Sequence, residues 1–360
     1  MKKFLLSAAC LLVAMAIGWN ARSAQTPSSA SDTVKMDPAL DNILAPDAKV
    51  EMLKAEGFDG GEGPVWVRQG KSGYLLFSAG GDNRIYKWTP SCFKYPCPVD
   101  AGTLSVFMEH AGYKDATMVG KKDPKTGAPL HGTNGLTRDK QGRLLIDANG
   151  DRAVERVEKD GSRTVLADRY EGKRISCPND IAAKSDGAIY FSDSGGACLQ
   201  GGENGPLREI GEHGVYLIKD GKLQMLDHDP DGSPPNGVAL SPDQKVLYIT
   251  NAPGKKEIFA YDVQPDDTVK NRRVFADLAG EKGLGGPDGI KVDKKGNFYS
   301  AATGGLWIFS PEGKRLGKVP APEGIRFANL AFGDPDGKTL YIVSAKNLYR
   351  IRVKIPGVHP

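Results

Sequence analysis

Imidazole and thiol groups are both scarce: the 360 residues include 5 histidines and 5 cysteines, and no two cysteines stand in a Cys-x-x-Cys spacing. A zinc centre built on those ligands has no support in the sequence. Charge of one sign is lacking too. The formal balance is +4, and loss of Lys2, Lys3 and Arg22 with the leader described below leaves 4 − 3 = +1. No basic stripe interleaved with aromatics occurs, so no nucleic-acid partner is expected. No Gly-x-Ser-x-Gly elbow exists to carry serine-hydrolase chemistry. Beyond residue 24 no apolar run is long enough to cross a bilayer, and no stretch sustains a helical period. What the chain has in quantity is punctuation. Its 45 glycines and 24 prolines separate short β-branched and aromatic runs such as "YLLFSAG", "AIYFSD", "VLYITN" and "LYIVSA". That pattern predicts an all-β chain.

The beginning reads as a targeting segment. "MKK" precedes "FLLSAACLLVAMAIGW", and the small residues of "NARSAQ" follow, which predicts a secretory signal peptide over 1–24. A flexible leader is expected over 25–46 and a single folded domain over 47–356. The mature protein is then periplasmic or secreted and free of the membrane. Cys10 leaves with the signal, and the four remaining cysteines allow two disulfides in an exported protein. Cys92–Cys97 would close a short loop, and Cys177–Cys198 is the other possible pair.

Six segments superimpose. They are "GEGPVWVRQGKSGYLLFS", "TNGLTRDKQGRLLIDA", "PNDIAAKSDGAIYFSD", "PNGVALSPDQKVLYIT", "PDGIKVDKKGNFYSAA" and "ANLAFGDPDGKTLYIV". Each places an acid or amide before an alternating strand, a polar turn and a second strand. The leading residues are Glu62, Asn134, Asn179, Asn236, Asp288 and Asn329, spaced by 72, 45, 57, 52 and 41 residues. Repeats of this length built from short strands predict a six-bladed β-propeller with four-stranded blades. Only about three strands follow Asn329, so "DAKVEMLKAEG" near the N-terminus is expected to supply the fourth and close the ring.

A propeller gives the leading residues one address, the mouth of the central channel. Asn and Asp also start strands for purely conformational reasons, and that reading suits Asn134 and Asn329 well. It suits Glu62 poorly. Glu62, Asn179, Asn236 and Asp288 together offer two carboxylates and two amide oxygens, a hard donor set that matches a divalent cation of the Ca²⁺ kind.

The segments "EGPVW", "NGLTRDKQGRL", "YEGKRISCPNDIAAKSDGAIYFSD", "PPNGVALSPDQKVLYITN" and "GPDGIKVDKKGNFY" resemble the SMP-30/gluconolactonase family, in its order, from about Gly57 to Lys354. The resemblance implies a six-bladed propeller that hydrolyses a small-molecule lactone with a divalent metal. It implies that Glu62, Asn179, Asn236 and Asp288 are metal ligands and that Asp288 also activates the nucleophile. Asn134, Arg174 and His131 are candidates for contact with substrate hydroxyls. This chain reads "RISCPND" and "FSDSGGACLQGG" where relatives read "RLNSPND" and "FTDPPYG", so the Ser194–Gly202 loop puts the substrate in question. Two rivals stand beside a lactonase: a phosphotriesterase-like or other ester hydrolase on the same metal site, and a non-catalytic ligand-binding propeller. The sequence does not address oligomeric state. "DHDPDG" from Asp227 lacks the Glu that would complete an EF-hand and reads as a turn.

Overall fold

The computed structural model describes residues 32–358 apart from 119, 123–126, 128, 129, 196–204, 206, 229–232 and 253. Six antiparallel sheets follow one another along the chain, five of four strands and one with a fifth strand added. Blade 1 comprises Gly61–Gln69, Ser72–Ala79, Arg84–Pro90 and Gly102–Met108. Blade 2 comprises Leu136–Arg138, Leu144–Ala148, Ala153–Val157 and Arg163–Ala167. Blade 3 comprises Pro178–Ala183, Ile189–Asp193, Gly214–Lys219 and Lys222–His228. Blade 4 comprises Pro235–Leu240, Val246–Asn251, Glu257–Val263 and Val269–Asp277. Blade 5 comprises Ile290–Val292, Phe298–Ala302, Gly305–Phe309 and Arg315–Pro320. Blade 6 takes Phe327–Gly333, Thr339–Ser344 and Asn347–Arg352 from the end of the chain and Glu51–Ala55 from its beginning.

The first strand of each blade packs on the first strand of the next, and that of blade 6 packs on that of blade 1. These contacts close the ring of a six-bladed propeller. The expected N-terminal strand is the closing one: Glu51 pairs with Arg350 and Ala55 with Asn347. It covers an edge that would otherwise be open to another chain.

The blades are welded by large side chains. Every residue of Thr339–Ser344 is buried, whereas the outermost strand Gly102–Met108 is mostly exposed. Between blades, Trp66 stacks on Tyr341 at 5.7 Å, and Tyr248 and Tyr299 meet Phe298 and Phe332 edge-on at 5.1 and 5.2 Å. Such pairs add about 0.5–1.5 kcal/mol each to the apolar area they bury.

Residues 1–31, and with them the predicted signal peptide, lie outside the described residues. The leader expected over 25–46 is corrected over its described part. Val34–Lys35 pairs with Arg315–Pro320 as a fifth strand on blade 5, and Pro38–Asn42 forms a 3₁₀ turn capped by Asp37. Leu40, Ile43 and Leu44 are buried against blades 5 and 6. Three apolar side chains behind a Pro-led turn suffice to dock it.

Cys92 and Cys97 form the expected disulfide. Cys198 lies outside the described residues, and the Cys177–Cys198 pairing with it. Closing so short a loop restricts the unfolded chain modestly. Substituting both Cys92 and Cys97 by Ser is expected to cost about 2 kcal/mol, read as a lower urea midpoint at unchanged m-value.

Candidate active site at the channel mouth

The leading residues reach one mouth because each blade holds the next by its backbone. Ser78 Oγ donates to the Asn134 carbonyl at 2.5 Å, Ser192 Oγ to the Asn236 carbonyl at 2.5 Å, and Thr250 Oγ1 to the Asp288 carbonyl at 2.9 Å. The Asn179 carbonyl accepts from Gly135 N–H at 2.7 Å. Blades must approach closely for these bonds to form. A Cβ on Gly237 would lie 2.2 Å from the Asp288 carbonyl oxygen, and one on Gly289 would lie 2.1 Å from Asn329. The glycine of the Asn-Gly and Asp-Gly pairs is thus set by contact between blades. Blade 3 has Asp180 in that place. Its carboxylate accepts from Val238 N–H and Ile181 N–H, both at 3.0 Å, and ties blade 3 to blade 4.

Register irregularities turn the side chains. They interrupt pairing at Glu62/Val65, Pro178/Ile181, Pro235/Val238 and Phe327/Asn329. A bulge re-aims the residue that it carries, here Glu62, Asn179 and Asn236 among them.

Glu62 and Asp288 face each other electrostatically. The Glu62 carboxyl is pushed well above its usual range, first by burial and then by the Asp288 carboxylate. Burial also raises Asp288, with Arg326 acting against it. Arg326 donates from Nη2 to Asp288 Oδ2. It lines a cavity of about 380 Å³ together with Glu62, His131, Ala328 and Asn347. Gly285 leaves room for it, because a Cβ there would lie 3.1 Å from the Arg326 Cγ.

His131 stands in the wall of that cavity, as its candidacy requires. Burial lowers its pKa, with Asp59 opposing, so the imidazole is neutral at neutral pH. Asn134 is buried, and its Oδ1 has no hydrogen-bond partner among the described residues. Arg174 does not line the cavity. Its guanidinium is held by Asp168 Oδ2 at 3.0 Å and by the Asp151 carbonyl at 2.5 Å, in the connection between blades 2 and 3. A residue so engaged is a brace, which corrects its candidacy for substrate contact.

Sequence reasoning missed Arg326. It stands three residues before Asn329, as His131 stands three before Asn134. The loop entering a first strand overhangs the mouth, so the offset of His131 is the signal that would have found Arg326.

The mouth fits a hard divalent cation. A half-buried and a buried carboxylate share the mouth with Arg326 as the counter-charge, which leaves room for further positive charge, and Glu62, Asp288, Asn179 and Asn236 stand at equivalent places in the ring. The orphaned Asn134 Oδ1 is a further oxygen donor close by. Among the described residues no three His, Cys, Asp or Glu side chains cluster as a metal group, consistent with a set that is half amide.

The SMP-30/Gluconolactonase/LRE-like region family matches residues 60–346. A gluconolactonase from Zymomonas mobilis is 33% identical over 345 residues, 94% of this chain and 90% of that one. A lactonase from Staphylococcus aureus is 28% identical over 149 residues, 41% of this chain and 42% of that one. The solved structure of a gluconolactonase from Xanthomonas campestris superimposes with a TM-score of 0.70 at 28% identity, covering 92% of this chain and 99% of that one.

Proposed function

This chain belongs to the SMP-30/gluconolactonase/LRE-like family, and on that footing we propose that it is an exported, divalent-cation-dependent enzyme that opens a sugar lactone to its hydroxy acid. Its class, a lactone-hydrolysing hydrolase, rests on the gluconolactonase and lactonase relatives. The observation that supports the rest is the Glu62–Asp288 pair in the channel mouth: burial raises both acids, the Asp288 carboxylate raises Glu62 further, and Arg326 offsets only part of this.

Glu62, Asn179, Asn236 and Asp288 would hold that cation, and their oxygen donors suit Ca²⁺. When bound, it supplies Lewis-acid polarisation of the lactone carbonyl. Asp288 takes a proton from the attacking water, whose oxygen adds to the carbonyl carbon. The ring C–O bond then breaks, and the ring oxygen takes that proton back from Asp288 to become the new hydroxyl. Arg326 fixes one oxygen of Asp288, so the other would serve both the cation and the attacking water. Neutral His131 offers the substrate a donor and an acceptor. Asp180 holds the floor by its two backbone bonds.

Export is supported by the N-terminal sequence and by the Cys92–Cys97 disulfide. No helix among the described residues is long and apolar enough to cross a membrane. A panel of aldonolactones and an organophosphate, assayed with and without EDTA, tests the reading. Lactone turnover abolished by EDTA and restored by Ca²⁺ supports it, and turnover of the phosphotriester alone overturns it.

A pH dependence follows. Both carboxyls have raised pKa values without a cation, so the folded chain keeps protons that the unfolded chain has lost. Stability from this source is full below the unfolded carboxylate pKa, near ~4, and is lost as pH rises through the folded values. A cation competes with those protons, so it stabilises little in acid and more as they leave. With Ca²⁺ at 100 times its Kd the melting point should rise by roughly 4 °C at neutral pH. The gap between Ca²⁺ and EDTA samples should widen from about pH 5 to about pH 8. An equal gap at both contradicts the assignment.

A further inference from the structure

A larger cavity, of about 580 Å³, opens at the far end of the channel. The first strands all run away from the mouth, and this cavity is lined by their later residues: Leu136 of blade 2, Ile181 of blade 3, Val238 of blade 4 and Ala331 of blade 6. The chemistry of the mouth does not use it.

Its walls are apolar and its polar groups are unbalanced in sign. Lys291, from blade 5, is the deep polar residue. Its Nζ donates to the Ile290 carbonyl at 2.8 Å. No other hydrogen bond to this ammonium occurs among the described residues, which leaves two of its three N–H groups to the channel. Burial lowers its pKa, and Asp180 and Glu62 act against that by attracting the ammonium from the mouth side without an ion pair. Around the rim, the bonds of Arg138 and Lys140 among the described residues go to backbone carbonyls, of Gly142 at 3.1 Å and Asp186 at 2.7 Å. Lys184 is paired with Asp186 and Asp267, and the rim acid Asp139 with Arg143. Among the described residues three cations are therefore left without a carboxylate, Lys291 inside the channel and Arg138 and Lys140 at the entrance. A volume in the range of small-molecule sites, apolar walls and a few polar groups at the end are the usual form of a ligand pocket.

We propose that the far end of the channel is a second ligand site, which takes a small amphipathic carboxylate with its head group on Lys291 and its apolar body along Leu136, Ile181, Val238 and Ala331. Burying an ammonium with open donors is costly, and an entering carboxylate removes that cost by a charge-assisted bond. Arg138 and Lys140 draw the anion to the entrance. A neutral ligand of the same shape gains only the apolar contact. The site stands independently of the lactonase reading.

Octanoate and 1-octanol are the probes, titrated calorimetrically into the full chain in Ca²⁺ and again in EDTA. The wild-type protein should bind octanoate at least tenfold more tightly than octanol in both. Lys291→Met should bring the ratio close to one while octanol binding persists, which also shows that the variant is folded. Ala183→Trp, on the cavity wall, should abolish binding of both. Equal affinity for the two probes, or no binding of either, overturns the proposal. So does loss of octanoate binding in Arg326→Gln but not in Lys291→Met, since that places the anion at the catalytic mouth.

Discussion

Replacing Asp288 by Asn is expected to lower kcat/KM for the preferred lactone by about 10³-fold, within the usual range for removing a general base. The side chain keeps its shape, and saturating Ca²⁺ offsets the weaker ligand, so the loss reports the missing base. Asp288 is 4% exposed and bonded to Arg326, and the amide leaves that guanidinium without its partner while relieving the repulsion on Glu62. Stability should therefore move little, and the rate a great deal. Glu62→Gln serves as the contrast. It should weaken cation affinity, and added Ca²⁺ should recover part of its activity, because Glu62 is assigned no proton transfer. If Asp288→Asn retains more than a tenth of the wild-type kcat/KM, Asp288 is not the base.

Gly237→Ala is the second large effect. The added Cβ would fall 2.2 Å from the Asp288 carbonyl oxygen and 3.0 Å from Thr250 Oγ1, the two atoms that join blade 4 to blade 5. The Asp288 backbone and the hydroxyl bonded to it would both have to shift. Overpacking of this kind costs about 1–3 kcal/mol, and loss of the Thr250 bond adds about 1 kcal/mol. The displaced strand carries Asp288, so Ca²⁺ affinity should fall at least tenfold. Denaturant melts and a Ca²⁺ titration read both. A stable Gly237→Ala with wild-type affinity would show that the inter-blade contact does not position the site.

The architecture was legible because a propeller repeats its own grammar. Six leading residues announced six blades, and the three strands after Asn329 announced the closing strand that Glu51–Ala55 supplies. The Asn-Gly and Asp-Gly pairs were legible as marks and ambiguous as causes. They read as turns, whereas Gly237 and Gly289 are small because a neighbouring backbone passes over them. Bulges at Glu62 and Asn236 carry no composition of their own and left no trace in the pattern.

The site divides in the same way. Its carboxylates and amides were found because each heads a repeat. Arg326 was missed because it heads none, and a lone arginine in a loop looks like any solvated one until the ring brings it to Asp288. Arg174 is the converse case: it was named for contact with substrate hydroxyls, and only the folded chain shows Asp168 and the Asp151 carbonyl holding it in the connection between blades 2 and 3. The N-terminal leader was read from composition alone, which hides how few apolar residues a docked turn needs. Leu40, Ile43 and Leu44 are enough.

The most direct test of the central claim is a crystal structure grown with Ca²⁺. One ion is expected at the channel mouth, with oxygens of Glu62, Asn179, Asn236 and Asp288 at about 2.3–2.6 Å. A mouth in which Arg326 alone bridges the acids at saturating Ca²⁺, or an ion bound away from Glu62 and Asp288, would contradict it.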